Sequence, residues 1–522
     1  MTTKKSTPNS SANNLQKSLF LLLPFTVIFI AIYAYIFDNK VDLSGDSLFY
    51  YFLGKALASG QGYMNTIGAV AKPENHFPPG YPFVISLAMM VGAKSLTAIK
   101  ILNGLFFWGA LVLFYKILTR LSINWTFALV ATVMMALNEH LLYYSIITMS
   151  EMPFTFFTLL SIYFLLSVKN EEAFYKDFNF WGLVIAMSLA YYIKTSGVAL
   201  VFAVFVYYGF KKNWLALGAS FVAFLLAALP WFIRNKQLGG NAYLKALMLK
   251  NSYHIEEGYM TFGDFLDRLW LNFEKYTNVD IQNAVFPFLS RLKVEEGTSY
   301  PVSQWIGGFL IYGLIVFGLL KLNKKYSLFV FIFLIAMYGI ALAWPNVWSD
   351  VRFIIPAVPF LLFFVMNGIV ELFNTIMEKM KVTAQFSPFI LMIIAFPVIT
   401  KVKAMHQAAK QDYAPEWKNY IELAKWSKDN TPKNEVICCR KPSIFHLFSE
   451  HPTASWLDTS DDQLLLQKME EFQVKFVVFD QLGFTSTSKY LYPAYEKNQE
   501  RFQIVQQFPQ PDTYLIRFLP KK

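Results

Sequence analysis

Residues 19–37 pass without a single charge, and nearly twenty apolar residues in a row leave a chain few options. A run of that length crosses a hydrocarbon core of about 30 Å as a helix, whose backbone polar groups are satisfied within the segment itself. Comparable stretches recur through residue 399, so the sequence is committed to a polytopic bundle of membrane helices, a mainly α fold. Composition enters as a check. Only 16% of the 522 residues are charged, against roughly 25% in soluble domains. The net charge of +11 then belongs to cytoplasmic Lys and Arg and to anionic membrane lipid, and nucleic acid is not expected as a partner.

About eleven spans are expected. Residues 1–17, rich in Ser, Thr and Asn with Lys4, Lys5 and Lys17, read as a cytoplasmic tail, and 19–37 as a retained helix without a cleavage site. Residues 81–93 are too short to cross and are placed at the outer interface. The remaining spans fall at 96–118, 125–143, 154–168, 178–193, 198–208, 214–232, 305–320, 328–344, 353–373 and 386–399. This count puts Arg120, Lys211, Lys212, Lys321, Lys324, Lys325, Lys379 and Lys381 in cytoplasmic loops, as the positive-inside rule requires.

Three domains follow: the tail at 1–17, a membrane domain at 18–400, and an extracytoplasmic α/β domain at 401–522, where composition turns polar. Two outer loops, 38–95 and 233–301, belong to the membrane domain, the second expected as surface-lying amphipathic helices. In the last domain helices are expected at 416–429 and 461–472, strands at 435–439 and 474–480, and a hairpin from 502–508 and 513–518 around Pro509-Gln510-Pro511-Asp512. Cys438 and Cys439 are adjacent, which offers neither a disulfide framework nor metal-ligand spacing, so a buried strand is the expectation, with a strained vicinal disulfide as the minor alternative.

The loop at 38–95 is where chemistry can reside. Asp46 stands just past the first span in Gly45-Asp46-Ser47-Leu48-Phe49-Tyr50, ahead of Ala58-Ser59-Gly60-Gln61-Gly62-Tyr63 and His76-Phe77-Pro78-Pro79-Gly80-Tyr81-Pro82. Alone, Asp46 or Ser44 could simply cap the helix that follows. A second acid, Glu151, follows in Ser150-Glu151-Met152-Pro153, where an acid in a first helical turn also suits the helix dipole. Three cations punctuate later span ends: Lys194 in Tyr192-Ile193-Lys194-Thr195, Arg234 in Pro230-Trp231-Phe232-Ile233-Arg234-Asn235, and Arg352 in Val351-Arg352-Phe353-Ile354-Ile355-Pro356-Ala357-Val358-Pro359. Each could be an interfacial anchor that snorkels, but a charge beside apolar helices is a functional candidate by default. Asn138, Glu139 and His140 are weaker candidates.

In this order along one polytopic chain, these motifs resemble the GT-C glycosyltransferases. The likeness is to the branch holding protein O-mannosyltransferases, lipid A aminoarabinose transferases and lipopolysaccharide core transferases, over residues 19–373. The resemblance implies an inverting transfer of a sugar from a polyprenyl-phosphate donor to a glycolipid, glycan or protein acceptor at the outer face of a bacterial inner membrane. It implies that Asp46 and Glu151 are the catalytic acids, Asp46 as general base. Arg352, Arg234, Lys194 and His76 would bind the donor phosphate, with Arg352 foremost, while Tyr50, Pro78, Pro79 and Tyr81 shape the acceptor loop. Two departures stand out: Phe353 replaces a Tyr of the Arg-Tyr-x-x-Pro-x-x-Pro pattern, and Phe77 stands where some relatives place a Lys, so that contact would fall to His76 or Lys72. No metal motif is present, although two carboxylates could share a divalent ion with the phosphate, and metal dependence is left open. A flippase would instead place ionisable groups at the midplane in repeated halves, and a non-catalytic scaffold would leave Asp46, Glu151 and Arg352 without a common purpose.

Overall fold

The computed structural model describes residues 10–169, 173–254, 257–286, 299–322, 324–382 and 388–521. Residues 1–9 of the expected tail, residues 287–298 of the second outer loop and the start of the expected span at 386–399 lie outside the described residues. Among the described residues up to 430 the regular elements are helices, apart from one two-stranded ribbon. The chain runs through α1 (Ser10–Ile36), α2 (Gly45–Ala58), a two-stranded ribbon of β1 (Met64–Asn65) and β2 (Lys72–Pro73), α3 (Gly80–Met90), α4 (Leu96–Arg120), α5 (Trp125–Ala136), α6 (Glu139–Ser145), α7 (Glu151–Leu165), α8 (Phe178–Ile193), α9 (Val198–Phe210) and α10 (Trp214–Gln237). It continues with α11 (Ala242–Leu247), α12 (Phe262–Lys275), α13 (Ile281–Val285), α14 (Val302–Leu320), α15 (Lys324–Ala343), α16 (Val358–Lys379), α17 (Phe396–Lys410) and α18 (Pro415–Asn430).

Among the described residues four helices are long and apolar enough to cross a membrane alone: α4, α10, α14, and α16 together with the 3-10 turn Val351–Ala357 that leads into it. Six shorter apolar helices accompany them, and the protein is a polytopic membrane protein. Three expected boundaries change. Residues 10–17, expected within the tail, are helical and form the first turns of α1, since they contain no Gly or Pro and the apolar run behind them propagates a helix backwards. Residues 125–143 are not one straight span; α5 and α6 meet at 60° because the Asn138 side chain caps α6, accepting from the amides of His140 and Leu141. The described part of 386–399 is a 3-10 stretch, Pro388–Ala395, running into α17. Helix α3, with eleven residues and so about 16 Å of length, covers only half a bilayer core.

Backbones touch where glycine permits it. A Cβ on Gly318 of α14 would lie 2.2 Å from the Phe364 carbonyl oxygen, and one on Gly368 of α16 would lie 2.3 Å from that of Leu314. Asn367 Nδ2 donates to the Gly318 carbonyl across this seam at 2.8 Å. Gly80 does the same service for the site, bringing the start of α3 against the end of α8, where a Cβ would meet Tyr192 and Ile193 backbone at 2.5–2.6 Å. In the second outer loop α12 is amphipathic, with Phe262, Leu266, Trp270 and Leu271 exposed on one side.

The last 90 residues build an α/β sheet from β3 (Val436–Cys438), α19 (Pro442–Ser449), β4 (Thr453–Ala454), α20 (Asp462–Glu471), β5 (Val474–Phe479), α21 (Tyr492–Lys497), β6 (Phe502–Phe508) and β7 (Thr513–Phe518). Strand order is β4-β3-β5-β7-β6, with β4, β3 and β5 parallel and β7 antiparallel to both neighbours. Cys438 and Cys439 are buried free thiols on opposite faces: Cys438 packs with Leu465, Val477 and Ile516, Cys439 with Tyr420, Phe445 and Val478. The Cys439 face also receives Leu48 and Phe52 of α2, which seats this domain directly on the helix that bears Asp46.

Candidate active site

Asp46 is the second residue of α2, and its carboxylate does not cap the helix. Ser44 occupies the N-cap without a side-chain bond to the helix, while Asp46 Oδ2 accepts from Arg352 Nη1 at 2.9 Å. The arginine reaches both acids, because its Nε donates to Glu151 Oε1 at 2.5 Å. Glu151 opens α7 and is fully buried, and the same Oε1 accepts from Lys194 Nζ at 2.8 Å. Two carboxylates and two cations thus form one balanced cluster, drawn from the starts of α2 and α7, the end of α8 and the turn that leads into α16. Glu151 Oε2 has no hydrogen-bond partner among the described residues.

Exposure divides the cluster. The Asp46 side chain is 40% exposed and that of Arg352 22%, whereas those of Lys194 and Glu151 fall to 12% and 0%. Glu151 is therefore the buried counter-charge that fixes both cations, and Asp46 is the carboxylate a solute can reach. A single charge buried this way without its partners would cost several kcal/mol, so the four side chains stand or fall together.

The cluster faces a cavity of about 460 Å³ lined also by Tyr50, His76, Phe77, Pro78, Thr195, Tyr243, Tyr253, Trp348, Asp350 and Phe353. His76 lies edge-on to Phe77 and Tyr243, and burial holds its imidazole below the ordinary value, so at neutral pH it presents a neutral ring. Tyr50 packs between Phe77 and Tyr81. Tyr81 is fully buried and donates to Asn103 Oδ1 at 3.0 Å, and Asn103 in turn donates to the carbonyls of Ile147 and Met149, so it joins the first loop to the turn before α7. Pro79 sits at the N-cap of α3, and Pro78 lines the cavity beside it.

Phe353 accounts for its own departure from the Tyr pattern. Its ring face lies 5.0 Å from Lys194 Nζ and 5.8 Å from the Arg352 guanidinium, so the aromatic surface steadies both cations without a hydroxyl. Arg234 is not brought into the cluster. It donates to the carbonyls of Glu74 and Tyr63 at 2.7 and 3.2 Å and lies over the Tyr63 and Trp231 rings, clasping the first outer loop to α10. Lys72 is also elsewhere, over the Phe472 ring of the C-terminal domain. Glu139 pairs with Lys401, and Asn138 is the cap of α6. The sequence reading missed Tyr243, Trp348, Asp350 and Asn103; the polar-aromatic Trp344-Pro345-Asn346-Val347-Trp348-Ser349-Asp350 run directly before Arg352 was the available signal for two of them.

Next to this cavity, and sharing Pro78 and Thr195 with it, a second one of about 360 Å³ runs between α8 and α10 along Tyr191, Tyr192, Trp231 and Phe232. Among the described residues no group of three or more His, Cys, Asp or Glu gathers, and Arg352 occupies the place between the two carboxylates. As arranged, these acids face cations and do not form a ligand set for a divalent ion.

Residues 75–238 match the family model of dolichyl-phosphate-mannose-protein mannosyltransferase. That window holds His76, Glu151, Lys194 and Arg234 and leaves out Asp46 and Arg352. No curated protein matches the chain. Among solved structures, the oligosaccharyltransferase AglB from Archaeoglobus fulgidus, in complex with an inhibitory peptide and a dolichol-phosphate, superposes with a TM-score of 0.59 at 13% identity, covering 95% of this chain and 74% of that one. ArnT from Cupriavidus metallidurans bound to undecaprenyl phosphate superposes with a TM-score of 0.57 at 11% identity over 95% of this chain and 98% of that one. Its apo state gives 0.57 at 10% identity, with 97% and 98% covered. The chain has the GT-C fold, a membrane helix bundle followed by a C-terminal α/β domain.

Proposed function

We propose that this chain is an integral-membrane inverting glycosyltransferase that moves a sugar from a polyprenyl-phosphate donor to a hydroxyl or amine acceptor at the outer face of a bacterial inner membrane. The observation that carries this reading is the Asp46–Arg352–Glu151–Lys194 cluster at the wall of a cavity in a GT-C bundle. The match to the mannosyltransferase family model and the lipid-phosphate complexes of the similar structures support it.

In this reading the donor phosphate lies against Arg352 and Lys194, and the prenyl chain follows the apolar cavity along Trp231 and Phe232 between α8 and α10. The acceptor oxygen or nitrogen attacks the anomeric carbon from the opposite side, and its proton passes to Asp46 Oδ. The bond between the anomeric carbon and the phosphate oxygen breaks as the new one forms, so configuration inverts. Polyprenyl phosphate departs with the electron pair, and its extra negative charge falls beside the two cations that Glu151 holds in place. No protonating acid is needed for such a leaving group. His76, neutral and packed against aromatic rings, offers a hydrogen bond rather than a charge. Arg234 acts at one remove by holding the loop of Glu74 and Tyr63, which leads into His76 and Phe77 of the cavity wall.

The test is Asp46→Asn. Release of polyprenyl phosphate from polyprenyl-phosphate-linked sugars, measured in membranes of a deletion strain carrying the variant, is expected to fall by about 10²–10⁴ while the protein melts as wild type does. Wild-type release by the folded variant would remove Asp46 as the base.

A further inference from the structure

In open sheets of parallel strands, ligands bind beyond the carboxyl ends of the strands at the point where the connections reverse direction. The C-terminal domain has such a point. From β3 the chain crosses through α19 to β4 on one side and then returns through α20 to β5 on the other, so the reversal falls between β3 and β5. The residues that leave these strands are Cys439-Arg440-Lys441 and Asp480-Gln481-Leu482-Gly483-Phe484.

What they gather at the strand ends is two cations, an aromatic ring and a buried acid. The Arg440 guanidinium and Lys441 Nζ lie 5.1 and 4.4 Å from the Phe484 ring, so an aromatic face holds both. Tyr420 pins the turn, its hydroxyl accepting from the Lys441 amide and donating to the Lys441 carbonyl. Two polar atoms there are unused. Buried Arg440 Nε and Asp480 Oδ2 have no hydrogen-bond partner among the described residues, and Asp480 is only 5% exposed. Buried polar atoms are seldom left in that state without a ligand or solvent to meet them.

The strand ends lie beside the start of α2. Ser443, in the first turn of α19, donates to the Gly45 carbonyl at 3.4 Å, and a Cβ on Gly45 would lie 4.0 Å from Lys441 Nζ. Tyr490 and His254 meet at 3.3 Å between the C-terminal domain and the second outer loop, beside Tyr253 of the cavity wall. Arg440 and Lys441 thus stand near Asp46, beside the residue that precedes it in α2. In the reading above the donor phosphate takes Arg352 and Lys194; Arg440 and Lys441 form no ion pair within 4.0 Å among the described residues, although the carboxylate of Asp480 lies near both.

We infer that the place where β3 and β5 end is an acceptor subsite, in which Arg440 and Lys441 hold a phosphate or carboxylate of the acceptor while Asp480 takes a hydroxyl, presenting the nucleophile to Asp46. The acceptor class is an acidic glycan or glycolipid headgroup. This rests on the glycosyltransferase reading above, but the binding it requires is measured without turnover.

The experiment uses the full chain in detergent with three probes: glucose 6-phosphate, glucose and undecaprenyl phosphate. Saturation-transfer NMR is expected to show glucose 6-phosphate bound by wild type and by Asp46→Asn, with little binding of glucose. The Arg440→Gln/Lys441→Gln double variant is expected to bind glucose 6-phosphate about tenfold or more weakly and undecaprenyl phosphate unchanged. The exchanged pair Arg440→Lys/Lys441→Arg keeps the charge and is expected to retain most of the binding, which separates lost cations from a disturbed fold. Absence of glucose 6-phosphate binding to wild type, equal binding by the Gln pair, or loss of undecaprenyl phosphate in its place would each overturn the subsite. If the subsite holds while Asp46→Asn transfers normally, it is the catalytic reading that fails.

Discussion

Replacing Glu151 by Gln keeps the shape of the side chain and removes the charge that holds Arg352 and Lys194. In the protein Glu151 Oε1 takes charge-assisted bonds of 2.5 and 2.8 Å from the two cations, with its own side chain fully buried. The variant leaves the cluster with one uncompensated positive charge in a setting that water does not screen, and breaking a buried pair in this way costs about 3–5 kcal/mol. With about 2 cal/mol/K of unfolding entropy per residue, a melt in which the whole chain unfolds together would drop by about 3–5 °C. The assay is a detergent melt of four proteins: wild type, Glu151→Gln, Lys194→Met and the double variant. Lys194→Met removes the surplus cation, so the double variant should recover part of the loss, giving a coupling of about 0.5–3 kcal/mol. Turnover should collapse in Glu151→Gln even where the protein stays folded, since Arg352 loses the anchor that aims it at Asp46 and, in the proposed reading, at the leaving phosphate. Additive melting changes, or a Glu151→Gln protein as stable and active as wild type, would refute the view that this acid organises the cations.

Other outcomes follow from the same geometry. Phe353→Leu removes the ring beside Lys194, and at about 0.5–2 kcal/mol for such a contact the donor KM should rise several-fold, whereas Phe353→Tyr, which keeps the ring, should stay near wild type. Gly80→Val would drive a side chain into the Tyr192 and Ile193 backbone, so α3 must lift from α8; a melt lowered by about 1–3 kcal/mol together with weakened undecaprenyl phosphate binding is expected, and an unchanged protein would contradict the contact. Asp480 is held at about 6 by burial, so the folded protein keeps a proton there that the unfolded chain has lost, and stability from this group falls as pH rises from about 4 to about 6. Asp480→Asn should therefore stabilise the protein by about 2–3 kcal/mol at pH 7 and by almost nothing at pH 4, read from melts at the two pH values.

The sequence was most legible where a local rule sets the structure. The polarity of residues 401–522 and the alternation around Pro509-Gln510-Pro511-Asp512 place the hairpin at the observed residues, because strand pairing across a short turn is a local matter. The charge-free runs announce membrane helices for the same reason. Their ends were less legible: the break at Asn138 depends on a side chain choosing the amides of α6, and the helical start at Ser10 depends on propagation from a span further on.

The candidate site divides along the same line. The residue types, an acid past the first span, a second acid before the fourth expected span and cations at later span ends, are written in the chain and suffice to suggest the chemistry. Which of them meet is decided only by packing. Asp46 and Arg352 are 306 residues apart, and although the motif around Arg352 sets it ahead of Arg234, nothing local says that it meets Asp46. The packing of α7 against α8 and against the turn before α16 brings Lys194 and Arg352 to Glu151, while the carbonyls of Glu74 and Tyr63 claim Arg234. Arg440 and Lys441 read in sequence as ordinary surface charges after a strand, and only the seating of the sheet on α2 sets them beside Asp46. The chain by itself determined a membrane bundle with acids and cations at the ends of its helices. The tertiary structure alone decided which charges pair, because a buried charge is tolerable only where its partner arrives from elsewhere in the fold.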